Sequence, residues 1–302
     1  MESGILLIDK PEGPSSARVV QKVKVILGAR KVGHLGTLDP FASGLLLLGI
    51  NEGTKIAQIF LNSQKGYTGI ITLGAETDTQ DLTGRVLQVR GVPRLGDEDL
   101  EKLKAAFTGS LRQVPPMFSA LKRSGQPLYR LARQGRSVPR PEREIKIERI
   151  RLWKLGSEEL GFEVLCSKGT YIRTLAADMG NYLGCGGHLK SLRRLSCGHL
   201  TLDQAVSLDE LSLLKDRRNV PLASLNRVLE HIRQVSLESR LLSSLRMGQQ
   251  DVLAEMGPPK GGETMVRLSD RAGNLVALAQ WVDGEGGGRW RLFRVFASSE
   301  NG

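Results

Sequence analysis

The segment Gly33-His34-Leu35-Gly36-Thr37-Leu38-Asp39-Pro40-Phe41-Ala42-Ser43-Gly44 is the stretch best suited to chemistry. Asp39 sits there among Leu38, Pro40 and Phe41, with glycines on either side. Apolar neighbours desolvate a carboxylate and raise its pKa unless a cation pairs with it. A carboxylate tuned in this way is a reactive acid, whereas an aspartate before a proline is also a common turn residue. Residue types alone leave both readings open. A second cluster is Cys185, His188, Cys197 and His199. Zinc sites present two spaced ligand pairs, but only Gly198 separates Cys197 from His199, too tight for the usual chelate. Packed thiols and incidental histidines are expected, with no metal and no other cofactor. The chain has no P-loop, no G-x-G-x-x-G between strand and helix, and no G-x-S-x-G, so nucleotide, dinucleotide and serine-hydrolase chemistry lose their best support.

Local patterning suggests what must hold such a loop. Residues 4–8 read as a buried strand that ends in the turn of residues 9–14. Ser15 or Ser16 caps a helix with Val19, Val20, Val23, Ile26 and Leu27 on one face, and Gly28 closes it. Residues 32–43 read as an irregular loop, 44–50 as a buried strand or helix, and 54–60 as a short helix. Residues 67–73 and 85–89 are β-rich and read as a long-looped hairpin. Asp97 is expected to cap a helix that Gly109 ends. Residues 112–141 hold many prolines and basic residues and suggest a mobile basic lobe with a short helix at 127–134. Strands are expected at 145–155, 161–166 and 189–195, and helices at 170–183 and 208–214. From 252 to 296 short strands and turn signals predict a small all-β unit. Strands and helices mix without strict βαβ alternation, which favours α+β over a doubly wound sheet. The division expected is 1–230 and 231–302.

Composition narrows the partners. The 302 residues are 40% hydrophobic and 25% charged, as in an ordinary globular protein. No apolar run approaches the ~20 residues of a membrane span. Lys+Arg number 43 against 32 Asp+Glu, a formal net charge of +11. Such a chain attracts polyanions because each neutralised phosphate releases a counterion. Nucleic acid is the leading partner and an anionic membrane surface the second. Three cysteines are too few for a disulfide framework, and the first ten residues lack a signal-peptide pattern. A reducing, cytoplasmic setting is expected.

Six ordered motifs then resemble one family, the TruB family of tRNA pseudouridine synthases. They are Asp9-Lys10-Pro11-Glu12-Gly13-Pro14-Ser15-Ser16; Gly33 to Pro40; Lys65-Gly66-Tyr67 with Leu73-Gly74-Ala75-Glu76-Thr77-Asp78-Thr79-Gln80-Asp81; Gln113 to Lys122; Cys166-Ser167-Lys168-Gly169-Thr170-Tyr171-Ile172-Arg173-Thr174-Leu175; and Leu192-Arg193-Arg194. Together they span residues 4 to 200. Leu35 and Met179 depart from the family pattern at positions away from the chemistry. The tail is more loosely similar to a PUA domain, a small RNA-binding barrel.

The resemblance implies a mixed, mainly antiparallel catalytic sheet followed by a PUA-like barrel. It implies isomerisation of uridine to pseudouridine at position 55 in the T-loop of tRNA, by a monomer needing no protein partner. Asp39 matches the catalytic aspartate, a nucleophile or acid–base at the ribose, and Arg173 the arginine that pairs with it and keeps it ionised. Tyr67 matches the tyrosine that stacks on the flipped base, and Tyr171 a second tyrosine close to the uracil. His34 matches a histidine that inserts into the RNA loop. Lys10 contacts phosphate or supports the catalytic loop. Lys122, Arg123, Arg130, Arg133, Arg136 and Arg140 would line a thumb-like clamp, about residues 112–143, that holds phosphates. Two other readings carry the same motifs: a catalytic subunit of an RNA-guided complex, and a tRNA-binding chaperone without turnover.

Overall fold

The computed structural model describes residues 2–119, 121–123, 125–214, 216–247, 249–250, 253–284 and 287–296. The chain opens with strand β1 (Gly4–Lys10) and helix α1 (Ser16–Leu27). Ser15 caps α1 by accepting a hydrogen bond from the Arg18 N–H, and Gly28 closes it in the left-handed region at φ 58°. Next come β2 (Val32–His34), β3 (Ser43–Ile50), a 3₁₀ turn at Asn51–Ile56, α2 (Ala57–Asn62) and β4 (Lys65–Leu73). A short ribbon, β5 (Ala75–Thr77) with β6 (Val86–Val89), precedes α3 (Asp97–Ala106) and β7 (Gly109–Gln113). The basic segment contains β8 (Lys122–Arg123), β9 (Gln126–Pro127) and α4 (Leu128–Arg133). Long strands β10 (Arg143–Lys154) and β11 (Glu159–Cys166) lead to α5 (Ile172–Tyr182) and β12 (Gly187–Cys197). Then follow β13 (Leu200–Thr201), β14 (Val206–Ser207), α6 (Leu208–Leu213), β15 (Leu222–Ala223) and α7 (Leu225–Val228). The remainder is β16 (Gln234–Ser236), α8 (Ser239–Arg246), β17 (Met265–Ser269), β18 (Leu275–Val282) and β19 (Arg289–Val295).

One eleven-stranded sheet organises the molecule, in the order β14-β1-β3-β12-β4-β11-β10-β7, with β2 on β3, β13 on β12 and β15 on β1. Its pairings are antiparallel except β1 with β14 and β3 with β12. The expected α+β class with a mixed, mainly antiparallel sheet is therefore observed. Strands β1 and β3 carry continuous apolar runs, Ile5 to Ile8 and Leu45 to Leu48, because both of their faces are covered there. Leu6, Ile8, Leu46 and Leu48 face the helices α1, α3, α5 and α6. Ile5, Leu7, Leu45 and Leu47 alternate to the other face, against Phe60, Val228, Leu229, Leu278 and Phe296.

Several expectations require correction. Residues 67–73 and 85–89 form no hairpin: β4 pairs with β11 and β12, while β6 pairs with β5. All four residues of β6 are exposed, so its apolar composition reports no core face. Residues 32–34 form a strand on β3 rather than pure loop. Gly96, not Asp97, caps α3, and the Asp99 carboxylate accepts from the Gly96 N–H. The described residues of 252–296 hold β17, β18 and β19 and no α-helix, as expected, but α8 precedes them inside the 231–302 division. Its strands form an open four-stranded sheet, β16-β17-β18-β19. Among the described residues no helix is long and apolar enough to cross a membrane.

Candidate active site

The loop between β2 and β3 carries Asp39, and three separate segments grip it. From the turn after β1, the Lys10 ammonium donates to the carbonyls of Pro11 (2.8 Å), Pro14 (2.9 Å) and Pro40 (3.3 Å). The Gly13 N–H donates to the same Pro40 carbonyl at 2.8 Å. At the start of α1, the buried Ser16 hydroxyl donates to the Leu38 carbonyl and accepts from the Leu38 N–H. From β12, Arg194 donates to the carbonyls of Leu45 (2.6 Å), Thr37 (3.3 Å) and Gly36 (3.2 Å). Apolar anchors complete the hold: Leu35 belongs to the core on one sheet face, and Leu38 and Ala42 to the core on the other. Gly44 is required where β3 leaves the loop. Its φ is +97°, and a Cβ there would lie 2.4 Å from the Arg194 carbonyl oxygen.

The Asp39 side chain remains 38% exposed, with its Oδ2 2.9 Å from Nε of Arg173, which is 7% exposed. Arg173 lies in the first turn of α5. The rest of its guanidinium is fully used: Nη1 donates to the Thr79 carbonyl at 3.0 Å, Nη2 to the Phe118 carbonyl at 2.8 Å, and Nη1 stands 3.5 Å from Asp81. Asp81 is buried and accepts from the hydroxyls of Thr79 and Thr83 and from the Thr83 N–H. The cation is thus shared between two carboxylates. Burial pushes the Asp39 carboxyl above its ordinary range, Arg173 pulls it back, and Asp81 adds to the rise. The expected pairing of Arg173 with Asp39 is present, while burial and the second aspartate push the carboxyl in the opposite direction.

Tyr67 is half-buried on β4, directly between Val164 of β11 and Arg194 of β12. Burial pushes its phenol up to about 12, with the Arg194 guanidinium beside it pulling the other way. Tyr171 is the residue before α5, and Gln113 clamps its backbone: the Tyr171 N–H donates to Oε1 at 2.8 Å, and Nε2 donates to the Tyr171 carbonyl at 3.1 Å. Burial raises the Tyr171 phenol as well, and its surroundings include both Arg173 and Asp39. His34 is exposed at the end of β2, on the strand that enters the loop. Partial desolvation by the loop around it and the Arg194 charge lower its imidazole pKa.

Lys10 differs from the expectation of a phosphate contact. It is fully buried, three carbonyls take up its ammonium, and burial lowers its pKa to about 8. Of the two roles open to it, support of the catalytic loop is the one its position matches. In the basic segment, Arg130, Arg133 and Arg136 are exposed, and Arg133 lies over the Tyr129 ring. Arg140 instead donates to the Pro115 carbonyl. The side chains of Lys122 and Arg123 lie outside the described ones. Nor does the Cys/His cluster converge: His188 Nδ1 bonds the Ala75 carbonyl, Cys185 and Cys197 bond carbonyls of Gly186 and Phe60, and the His199 ring packs at a tilt against His231. Among the described residues no group of three or more potential metal ligands is assembled. Sequence reasoning gave no role to Asp81 or Arg194, although both lie inside the quoted motifs.

This sheet and its loop-borne aspartate define a pseudouridine synthase fold. Solved structures share it: the chain aligns with the crystal structure of a Cbf5-Nop10-Gar1 complex at TM-score 0.69 and 23% identity, over 97% of this chain and 84% of that one. An H/ACA RNP structure bound to a substrate RNA containing 2′-deoxyuridine aligns at TM-score 0.69 and 20% identity, over 98% and 86%. Residues 24–172 match the TruB family pseudouridylate synthase (N terminal domain), and residues 173–234 match the tRNA pseudouridylate synthase B C-terminal domain. The tRNA pseudouridine synthase B of Geobacter sulfurreducens is 42% identical over 97% of this chain and 99% of its own length. That of Nitrosococcus oceani is 44% identical over 85% of each. The chain belongs to the TruB family.

Proposed function

We infer that this protein isomerises uridine to pseudouridine in tRNA, at position 55 of the T-loop, acting alone on the T-stem and T-loop arm. The observation that carries this reading is the Asp39–Arg173 pair at 2.9 Å on a loop gripped from three directions. It stands in a chain 42% identical along nearly its whole length to a tRNA pseudouridine synthase B.

The reaction breaks the N1–C1′ bond, turns the uracil and joins C5 to C1′. The C5 proton leaves and N1 gains one, so nothing is oxidised or reduced. Asp39 acts at the ribose, either by attacking C1′ or by taking a proton at C2′. Tyr67 offers the face on which the extruded uracil stacks, worth roughly 1–3 kcal/mol against the cost of unstacking. Tyr171, whose surroundings include Arg173 and Asp39, serves the uracil edge where the C5 proton departs. His34 enters the RNA loop from the rim of the site, and Arg130, Arg133 and Arg136 contact phosphates. Residues 1–230 form the catalytic unit, and 231–302 a PUA-like RNA-binding unit.

The test is tritium release from tRNA transcript labelled at uridine C5, with purified protein and no guide RNA, partner or added metal. Release from the T-loop uridine by the parent chain, and none by Asp39→Asn, is the expected result. Tight binding without release would overturn the reading in favour of a guided subunit or a chaperone.

A further inference from the structure

Strand β12 lies between β3, which leads out of the Asp39 loop, and β4, which carries Tyr67. Arg194 occupies the crossing point. It pairs with Gly44 on the β3 side and with Tyr67 on the β4 side. Its side chain is buried, and all three guanidinium nitrogens are spent on the carbonyls of Gly36, Thr37 and Leu45. Among the described residues no carboxylate lies within ion-pair distance of it, unlike Arg173 with its two aspartates. A buried cation held by three carbonyl dipoles and a hydrogen bond to the Tyr67 phenol, with no carboxylate, is expensive, and an apolar side chain of similar volume would fill the space at lower cost. A planar fork gives what an apolar side chain cannot, three fixed directions from one rigid group.

We propose that Arg194 is the positioning residue of this active site, fixing the distance and orientation between the Asp39 loop and the Tyr67 ring. The inference rests on the isomerase reading for its kinetic half only. The carboxylate meets the ribose and the ring meets the base of one nucleotide, so the two must be held in a single frame. The Lys10 and Ser16 contacts hold the loop against its own end of the sheet, whereas Arg194 ties the loop to the strand that presents the base-stacking ring. Its charge also reaches His34, Lys10 and the Tyr67 phenol, so it adds to the positive potential along the floor of the site.

The experiment uses the full chain with Arg194→Lys and Arg194→Met. It measures kcat and KM on tRNA, melting temperature, and the ¹³Cζ resonance of Tyr67 in labelled protein, assigned with Tyr67→Phe. A misplaced reacting group costs roughly 100-fold, so Arg194→Met is expected to lose about that factor in kcat, with KM within about threefold. Arg194→Lys should recover part of the loss, because an ammonium can donate to the same carbonyls without the fork geometry. The Tyr67 resonance should move in both variants. Unchanged kcat in either folded variant, a change in KM alone, or an unmoved Tyr67 resonance would overturn the proposal. If Arg194→Met does not fold, Arg194→Lys decides. A parent chain without turnover would sink the isomerase reading instead, and the resonance would then decide the positioning role.

Discussion

The Asp39 loop and the basic segment after β7 solve opposite problems. Residues 35–42 are irregular backbone, yet a lysine, a serine and an arginine from three distant segments hold their carbonyls and amides. Residues 114–142 are also largely irregular, but their order comes from a two-residue ribbon, six-residue α4 and two buried leucines, Leu128 and Leu131. The first region spends buried cations on its own backbone, and the second presents Arg130, Arg133 and Arg136 outward. Chemistry at one carbon atom needs groups fixed before substrate arrives. A polyanion with many phosphates needs charge near it and tolerates adjustment.

This contrast can be broken by substitution. Asp39→Asn should remove turnover by at least about 10³-fold, within the range for losing an acid–base or nucleophilic group, while tRNA affinity stays within a few-fold. The same variant tests the cost of preorganisation. Because the folded Asp39 pKa is raised, the folded state holds its proton more tightly, and stability falls as pH rises through the gap between the unfolded and folded values. Asp39→Asn should therefore melt higher than the parent at pH 7.5, and the gap should close as pH falls towards 4.

Arg173→Met should lower kcat by roughly 10²–10³-fold and leave two aspartates without their shared cation. The Asp39 pKa then rises further, so the acid limb of kcat/KM should move to higher pH than in the parent. A limb that stays in place would separate Arg173 from the ionisation of Asp39. Lys10→Met takes the ammonium from the Pro11 and Pro14 carbonyls, at about 1–3 kcal/mol each, while Pro40 keeps the Gly13 N–H. The variant should lower both melting temperature and kcat, with tRNA affinity nearly unchanged. A loss confined to affinity would return Lys10 to the role of a phosphate contact.

The smallest effect belongs to the outward-facing cations. Replacing Arg130, Arg133 and Arg136 together by Ala should leave kcat at saturation unchanged and raise KM about tenfold. The dependence of log affinity on log salt should flatten by roughly two to three units. A loss in kcat would show that this segment also shapes the site.

The chemistry was more legible in the sequence than the wiring. Asp39, Arg173, Tyr67 and Tyr171 could be picked out because they sit in compact motifs, and the first two indeed meet at 2.9 Å. The continuous apolar runs of β1 and β3 also declared themselves as buried, although the second could be read as strand or helix. Lys10 did not, because its burial depends on Pro40, thirty residues away, and a lysine in a proline-rich turn otherwise reads as solvated. Arg194 and Asp81 escaped notice for the same reason: each acts through backbone or side chains far off in sequence. The misread hairpin shows the limit of local pattern. Residues 67–73 and 85–89 each look like strands, but the first joins β11 and β12, about a hundred residues later, and the second joins the short β5 just before it. The open C-terminal sheet with α8 shows it again, since turn signals announce strands without showing whether they close.

The lateness of β12 has a consequence for the birth of the enzyme. Asp39 leaves the ribosome among the first forty residues, but Arg173, and then Arg194, follow more than a hundred residues behind it. At about 5–20 residues per second, the catalytic loop waits roughly 10–30 seconds for the strand that completes its clasp. Throughout that interval the growing chain holds the aspartate with Lys10 but without Arg173 and Arg194, so a polypeptide truncated before β12 is expected to release no tritium from labelled tRNA. The fold thus places its own commissioning step near the end of the catalytic unit's synthesis.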